Sequence, residues 1–424
     1  MHHSSSCSVT DHLARVLSLV QPLPAVNTPL SELTSGQYCA ADATCRIPVP
    51  AFHNSAMDGF LVHRADLGSG SATLPVVGDV PAGSAPQEVP AGAAVRIMTG
   101  APVADPLDPE LVVVPVELTN IPAGPTPLPE TVTIHGADPA RAHIRRAGDN
   151  LAVGDTAVRA GSRVDPGVIA ACHSAGLATL PVHRTPRVAV ISTGDELVSL
   201  GYGGAQLLQP GQIPDSNRPM LAQLVRDSGP AELTHLHAGD SDCAAGQSDS
   251  FVALAHQAAQ THDLIITSGG VSAGAFDIVH TSAQAHARDA WFGDVDQKPG
   301  APQGISVWGS TPMISLPGNP VATFVSFHLY VAPALRALRG DPHPDLRRRG
   351  IVRAGEEFPD TRDRPAWLPV WVDYADNPPA AFPFNGRRLG SHMVANLAGT
   401  AGMVGLAAHA AGPRAGDTVE ITWF

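Results

Sequence analysis

The chain has 424 residues, 44% of them hydrophobic, and a formal net charge of −13. That length exceeds what a single hydrophobic core supports, so several domains are expected. The acidic balance argues against a general duplex nucleic-acid binder, which needs a basic face to displace phosphate counterions, and it means that an anionic ligand must be met by local donors or a divalent metal. Five cysteines, an odd count with no C-x-x-C pair, suit a reduced, cytoplasmic protein. No run approaches the ~18 apolar residues of a membrane span, and the N-terminus lacks the apolar core of a signal peptide.

From the N-terminus, Leu13, Val16, Leu17 and Val20 recur at helical spacing behind Asp11, a candidate cap, and more helix is expected before residue 40. Between 49 and 140, short apolar runs (Leu74 to Val77, Ala94 to Met98, Leu111 to Val116) alternate with Pro and Gly turns, the pattern of a small all-β unit. Residues 141–185 return to mixed structure with a helix over Val168 to Ala175. This predicts an N-terminal mixed domain of residues 1–48 plus 141–185, interrupted by a β-rich insertion at 49–140. Over 186–340 the period changes. Val188 to Ile191, Leu233 to Leu236, Leu264 to Ile266 and Met313 to Leu316 read as strands, the first a continuous apolar run suited to burial on both faces. Helices run between them, one capped by Ser216, and a long apolar helix from near Val321 is expected to bend at Pro333. Alternation of this kind predicts an α/β domain with a mostly parallel sheet. After a linker at 341–349, residues 350–424 read as a C-terminal β domain, a small barrel or sheet.

Five turns combine glycine with an acid: Asp58-Gly59, Gly148-Asp149, Gly194-Asp195-Glu196, Gly239-Asp240, and Ser268-Gly269-Gly270 followed by Asp277. Right-handed crossovers bring the loops after successive parallel strands to one edge. The Ser192–Glu196, Ala238–Asp240, Ser268–Gly270 and Pro317-Gly318-Asn319-Pro320 loops therefore converge. In Ser268-Gly269-Gly270-Val271-Ser272-Ala273-Gly274, bare amides and hydroxyls can hold a phosphate, although the P-loop lysine and G-x-G-x-x-G are both absent. The same string also reads as a plain strand-to-helix turn. Glu196, Asp240 and Asp277 around an anion imply a hard cation, and Mg²⁺ suits one or two carboxylates plus phosphate oxygens; each acid can equally cap a helix or close a turn. Lys298-Pro299-Gly300 offers an ammonium to an oxyanion. Thr99-Gly100 and Ser391-His392 offer further polar groups. Neither H-E-x-x-H nor G-x-S-x-G occurs.

Taken together, these strings resemble the molybdopterin molybdenumtransferase family (bacterial MoeA and the C-terminal domain of gephyrin). The matching stretches are Asn54 to Phe60, Val95 to Pro102, Arg145 to Asp149, Ser192 to Leu197, Asp215 to Arg218, Thr267 to Gly274 with Asp277, Lys298 to Gly300, Leu316 to Val321 and Gly390 to Met393. They occur in family order across nearly the whole chain. The resemblance implies a four-domain homodimer whose α/β domain has the molybdopterin-binding fold. The reaction it implies is insertion of molybdate into adenylylated molybdopterin, with Mg²⁺-dependent release of AMP. It draws the site from the α/β domain of one subunit and the β insertion of the other. It assigns Asp58, Thr99, Asp149, Glu196, Asp240, Asp277 and Lys298 to catalysis, the metal falling to Glu196, Asp240 and Asp277. Ser268, Gly269, Gly270, Ser272, Pro317, Gly318, Asn319, Pro320 and Ser391 fall to substrate binding. A molybdopterin adenylyltransferase and recipient molybdoenzymes are the partners it implies, with no nucleic acid and no membrane.

Two departures from the family pattern remove positive charge from the expected oxyanion region, and others lie elsewhere. Asp294 stands four residues before Lys298, where the family commonly has lysine, and Ala301 replaces a second lysine. Phe60 replaces tyrosine, His53 replaces an acid, and Phe358 to Arg364 departs from the family's arginine-bearing segment. The losses of positive charge at Asp294 and Ala301 support an alternative, a catalytically weak pterin-nucleotide-binding or scaffold paralogue. Tight binding without molybdate-dependent AMP release would mark it. An adenylyltransferase acting one step earlier would instead consume ATP with free molybdopterin.

Overall fold

The computed structural model describes residues 7–68, 70–199, 208–239, 250–271, 277–383 and 390–424. The chain divides into two compact units, Met1–Val26 with Thr34–Ala40 and Val182–Phe424, and Asn27–Leu33 with Ala41–Pro181.

The larger unit is built on a six-stranded sheet in the order Glu232–Ala238, Arg187–Thr193, Leu264–Ser268, Thr311–Leu316, Pro302–Trp308, Arg288–Asp294. The first four strands run parallel; the last two extend the sheet antiparallel. Side chains alternate across a strand, so the apolar run of Arg187–Thr193 feeds two cores. Val188 and Val190 pack with Leu221, Val225, Phe327 and Leu335. Ala189 and Ile191 pack with Phe251, Ala255, Val279 and Trp308 on the other face. The antiparallel pair lacks such a signal. Arg288–Asp294 is a half-buried edge, and Gln303, Gly304 and Ser306 interrupt the apolar pattern of its neighbour although that strand is almost wholly buried.

The helix Val9–Ser18 belongs to this unit, and its Val16 joins the first core. Its cap is Ser8, not Asp11: the Ser8 hydroxyl accepts the Asp11 N–H at 3.1 Å and donates to the Asp11 carboxylate at 2.8 Å, a side-chain N-cap. Ser216 likewise makes no side-chain cap bond; the helix Asn217–Asp227 starts instead on Asp215, whose carboxylate accepts the Arg218 N–H at 3.1 Å. The apolar segment Pro320–Leu338 is long and apolar enough to cross a membrane by length and composition, but 83% of it is buried in this unit. It is α-helical to Ser326, widens to a π turn over Phe327–Val331 and resumes as α at Ala332. A closed five-stranded barrel follows, in the order Arg349–Ala354, Ala380–Phe382, Ala366–Asp373, Gly402–Leu406, Thr418–Trp423. Its interior holds Val352, Leu368, Val370, Val404 and Ile421.

The smaller unit contains a five-stranded sheet in the order Leu111–Pro115, Gly59–His63, Ala94–Ile97, Ser71–Val80, Thr131–His135. Phe60, Val62, Val112 and Val114 form one apolar layer, and Leu61, Val95, Ile97 and Val113 the other. The expected helix after residue 166 is present as Pro166–Ser174, capped by Asp165. Before residue 40, only a short 3₁₀ turn, Leu30–Glu32, stands where more helix was expected.

Candidate functional site

Strand register sets the position of the site. Thr193 lies opposite Ala238, Ser192 opposite Ser268, and Ser268 opposite Leu316, so four parallel strands end together at one edge. A cavity of about 1490 Å³ opens there. Its walls are Thr193–Leu197, Ser268–Val271 and Pro317–Ala322 from the sheet edge, Gln297–Pro302 beside them, and Pro359–Arg364, Ala366–Pro369 and Gly390–His392 from the barrel side.

These loops meet closely. A Cβ on Gly318 would sit 3.5 Å from the Gly269 Cα, an ordinary contact, whereas Gly270 has to be glycine. Gly270 has φ of +65°, and a Cβ there would lie 2.8 Å from Val279. Asn217 ties the loops together: its amide nitrogen donates to the Ser268 hydroxyl at 2.7 Å and to the Gly318 carbonyl at 2.6 Å. The Thr323 hydroxyl donates to the Pro317 carbonyl at 2.6 Å and to that of Asn319 at 3.0 Å, holding the Pro-Gly-Asn-Pro turn over its helix. Among the described residues, amides and hydroxyls therefore crowd one rim with little side-chain bulk, the surface a phosphate or pterin edge needs.

Glu196 and Asp277 line this cavity. The Glu196 carboxylate folds back over Gly194, so close that a Cβ on that glycine would meet it at 2.5 Å. Asp277 precedes the helix Ile278–His286, and the Gly270 carbonyl accepts that helix's His280 N–H at 3.1 Å. Asp240 and Ser272 lie outside the described residues. Among the described residues no three metal-capable side chains come together. Two hard carboxylates on one cavity nevertheless fit Mg²⁺, which takes one or two protein carboxylates and completes its octahedron with phosphate oxygens and water.

Lys298 is exposed on a turn whose base is buried. Gln297, 1% exposed, donates to the Pro299 carbonyl at 3.0 Å and to the Ser326 hydroxyl at 3.2 Å, and it accepts the Tyr330 hydroxyl. Gln303 donates to the Gly300 carbonyl at 2.7 Å and to the same Ser326 hydroxyl at 2.6 Å. The barrel fixes the other side of the turn: Lys298 donates its N–H to the Pro365 carbonyl at 2.9 Å and accepts the Trp367 N–H at 2.8 Å. Ser391 comes to the rim because its carbonyl accepts the Val321 N–H at 3.1 Å, satisfying an orphan donor of the core helix.

In the smaller unit, Asp58 and Thr99 meet at the ends of two paired strands. The Asp58 carboxylate accepts the Thr99 N–H at 2.6 Å and its hydroxyl at 2.7 Å. Those two bonds, the backbone one larger, hold its carboxyl below the usual carboxylate range. Asp149 closes its own turn by accepting the Arg146 N–H at 2.7 Å, while the Gly148 N–H reaches the Pro50 carbonyl at 3.0 Å.

Asn217 lies in a stretch matched from sequence, though its tie between two loops was not read there; Gln297, Gln303, Ser326 and Tyr330 support the site without a local signature. The Phe358 to Arg364 segment, read from sequence as a departure from the family's arginine-bearing segment, in fact places Arg362 and Arg364 on the cavity wall. The signal available for them was a pair of arginines flanking Asp363 before an apolar run; only the tertiary pairing of that segment with Lys298 gives it meaning.

The comparisons with known proteins agree on one family. The chain matches the family descriptions "MoeA N-terminal region (domain I and II)" over residues 7–176, "Probable molybdopterin binding domain" over 189–337 and "MoeA C-terminal region (domain IV)" over 352–424. Molybdopterin molybdenumtransferase 2 of Mycobacterium tuberculosis is 39% identical over 355 residues, 81% of this chain and 83% of that protein. Molybdopterin molybdenumtransferase of Staphylococcus aureus is 30% identical over 337 residues, 78% of this chain and 76% of its own length. A crystal structure of a molybdopterin biosynthesis moeA protein from Pyrococcus horikoshii superposes with a TM-score of 0.79 over 99% of this chain and 100% of that one, at 21% identity. That likeness is one of fold.

Proposed function

The chain belongs to the molybdopterin molybdenumtransferase family, and from that premise we propose that the cavity at the sheet edge is where molybdate meets adenylylated molybdopterin and AMP is released. The protein is an enzyme of molybdenum cofactor biosynthesis, a molybdenum insertase. The observation that carries the site reading is the convergence of four kinds of group on one cavity: glycine-loop amides, the carboxylates of Glu196 and Asp277, the ammonium of Lys298 and the Ser391 turn.

In this reading the loops Ser268–Gly270 and Pro317–Pro320 hold the pterin nucleotide by backbone N–H groups and hydroxyls. Lys298 and Ser391 hold molybdate, a small tetrahedral dianion, by charge and hydrogen bonding. Glu196, Asp240 and Asp277 would hold Mg²⁺, leaving its remaining positions to water and phosphate oxygens. When bound, Mg²⁺ supplies charge neutralisation at the phosphoanhydride as AMP leaves. Asp58, Thr99 and Asp149 complete the proposed site set, and the reading includes a homodimer, a cytoplasmic location, a molybdopterin adenylyltransferase as supplier and molybdoenzymes as recipients. The family resemblance supports each of these.

The test is AMP release from adenylylated molybdopterin, with activation of a cofactor-free molybdoenzyme at low molybdate as the second readout. The expected result is AMP release that requires both molybdate and Mg²⁺. Glu196→Ala should abolish it while the sedimentation coefficient stays that of the wild-type dimer. Wild-type-like turnover by that variant would remove Glu196 from the metal set.

A further inference from the structure

Position 294 lies at the end of the edge strand Arg288–Asp294, opposite Pro302. It carries an acid beside the Lys298 turn, which lines a cavity that the proposed function fills with anions. An isolated carboxylate there would only repel such ligands. It is not isolated: the Arg364 guanidinium donates to Asp294 at 2.7 Å, and Arg364 lines the cavity while Asp294 does not.

The segment that delivers Arg364 is held on both sides. The Thr361 hydroxyl and amide bond to Ala407 and Ala410, and the Arg362 carbonyl accepts the His409 N–H at 2.8 Å. Downstream, Pro365 and Trp367 bond to the backbone of Lys298. The backbone of Arg364 is thus fixed a short way from the Lys298 turn, and only its long side chain remains to be oriented. A guanidinium has five donors in a rigid fork. One contact to Asp294 restricts the fork and leaves further N–H groups for an oxyanion; among the described residues no other protein group accepts from it. An exposed ion pair of this kind contributes little to folding stability, so its placement points to orientation.

We propose that Asp294 is a positioning residue that holds Arg364 as a contact for the oxyanion substrate, so that a barrel guanidinium supplies the second cation beside Lys298. This rests on the cavity being the molybdate site. The sign of the effect separates it from simple repulsion. Removing Asp294 raises the net charge near the cavity by one, so if the acid acts only through its charge, molybdate binds more tightly to Asp294→Ala. If it positions Arg364, molybdate binds more weakly.

The experiment is calorimetric titration of the full-length chain with sodium molybdate, paired with steady-state AMP release. Asp294→Ala should weaken molybdate binding about fivefold, a change of the size expected for one misplaced charged contact, and raise the KM for molybdate with kcat held within about twofold. Asp294→Glu should restore most of the loss. Arg364→Ala should match Asp294→Ala, and the double variant should add nothing to Arg364→Ala alone. Tighter binding by Asp294→Ala, or an unchanged titration for Arg364→Ala, overturns the proposal. Failure of wild-type AMP release would count against the insertase reading of the cavity, while the molybdate titrations would still decide the role of Asp294.

Discussion

Asp58 and Thr99 lie 41 residues apart in sequence, yet strand pairing of Gly59 with Ile97 brings them to bonding distance. Gly59 also lets the strand pair closely on its other side with Leu111–Pro115, because a Cβ there would lie 1.9 Å from the Val114 carbonyl oxygen. Gly59→Ala should therefore destabilise the smaller unit by several kcal/mol, read as a loss of urea midpoint. Thr99→Val is the finer probe. It removes the hydroxyl bond and keeps the N–H, so the Asp58 carboxyl should titrate at higher pH than in the wild type. Carboxyl-carbon NMR reads this directly, and an unmoved titration would show that the backbone bond alone sets the shift. Both residues were legible in the sequence because an acid beside glycine and a threonine ending a β run are locally odd. Gln297, Gln303 and Tyr330 were not, since a buried glutamine leaves no periodic trace and its partners come from three different elements.

The element that most constrains the site is the helical segment Pro320–Leu338. Its start carries the Pro317–Pro320 turn to the rim, and its interior presents Ser326 and Tyr330 to the base of the Lys298 turn. A disturbance at Pro333 was legible, because proline has no N–H for the carbonyl four residues back. Its form was not: the π turn Phe327–Val331 lies upstream, and the freed Leu329 carbonyl accepts from Arg347 at 2.8 Å. Burial pushes the Arg347 guanidinium down to about 10, with Arg336 adding to the effect, so this hydrogen bond is made at the cost of a desolvated charge. Losing the partner of a buried carbonyl costs about 1–3 kcal/mol. Arg347→Met should lower unfolding free energy by an amount in that range. In a Pro333→Ala background, which restores a backbone donor for Leu329, the same substitution should cost less. Equal losses in both backgrounds would mean that Arg347 acts through packing and not through the carbonyl.

At the scale of the whole molecule, the convergence of strand-end loops was readable because glycines follow apolar runs, and parallel strands must end on one edge. The barrel's contribution to the cavity was not, because Arg362 and Arg364 acquire their place only through pairing with Lys298. The larger unit also carries a pH dependence that composition does not reveal. His12 packs against Tyr330 at 4.5 Å and Trp291 at 5.0 Å, and neither of its ring nitrogens has a hydrogen-bond partner. His328 stacks on Phe424 at 3.8 Å, with Phe324 at 4.7 Å. Burial, reinforced by Arg15 for the first and by Arg347 and Arg336 for the second, lowers each imidazole to about 3 from an ordinary 6.5. Both histidines are therefore neutral in the folded chain and become charged in the unfolded one as pH falls below about 6.5. Their contribution is fully present above that value and is lost as pH drops toward 3, because the unfolded state takes up the protons first. Each group adds a slope of at most about 1.4 kcal/mol per pH unit, so the pair gives about 2.7 well inside the window. All five tryptophans, Trp291, Trp308, Trp367, Trp371 and Trp423, lie in this unit, so their fluorescence follows its unfolding. Urea midpoints measured from pH 7 to 4.5 should fall steeply in the wild type. With His12→Phe and His328→Phe together the fall should be shallower by that increment, leaving the part due to carboxylates such as Asp263, which Arg184 holds at 2.7 Å. An unchanged slope in the double variant would mean that the unfolded chain does not release these two imidazoles to water.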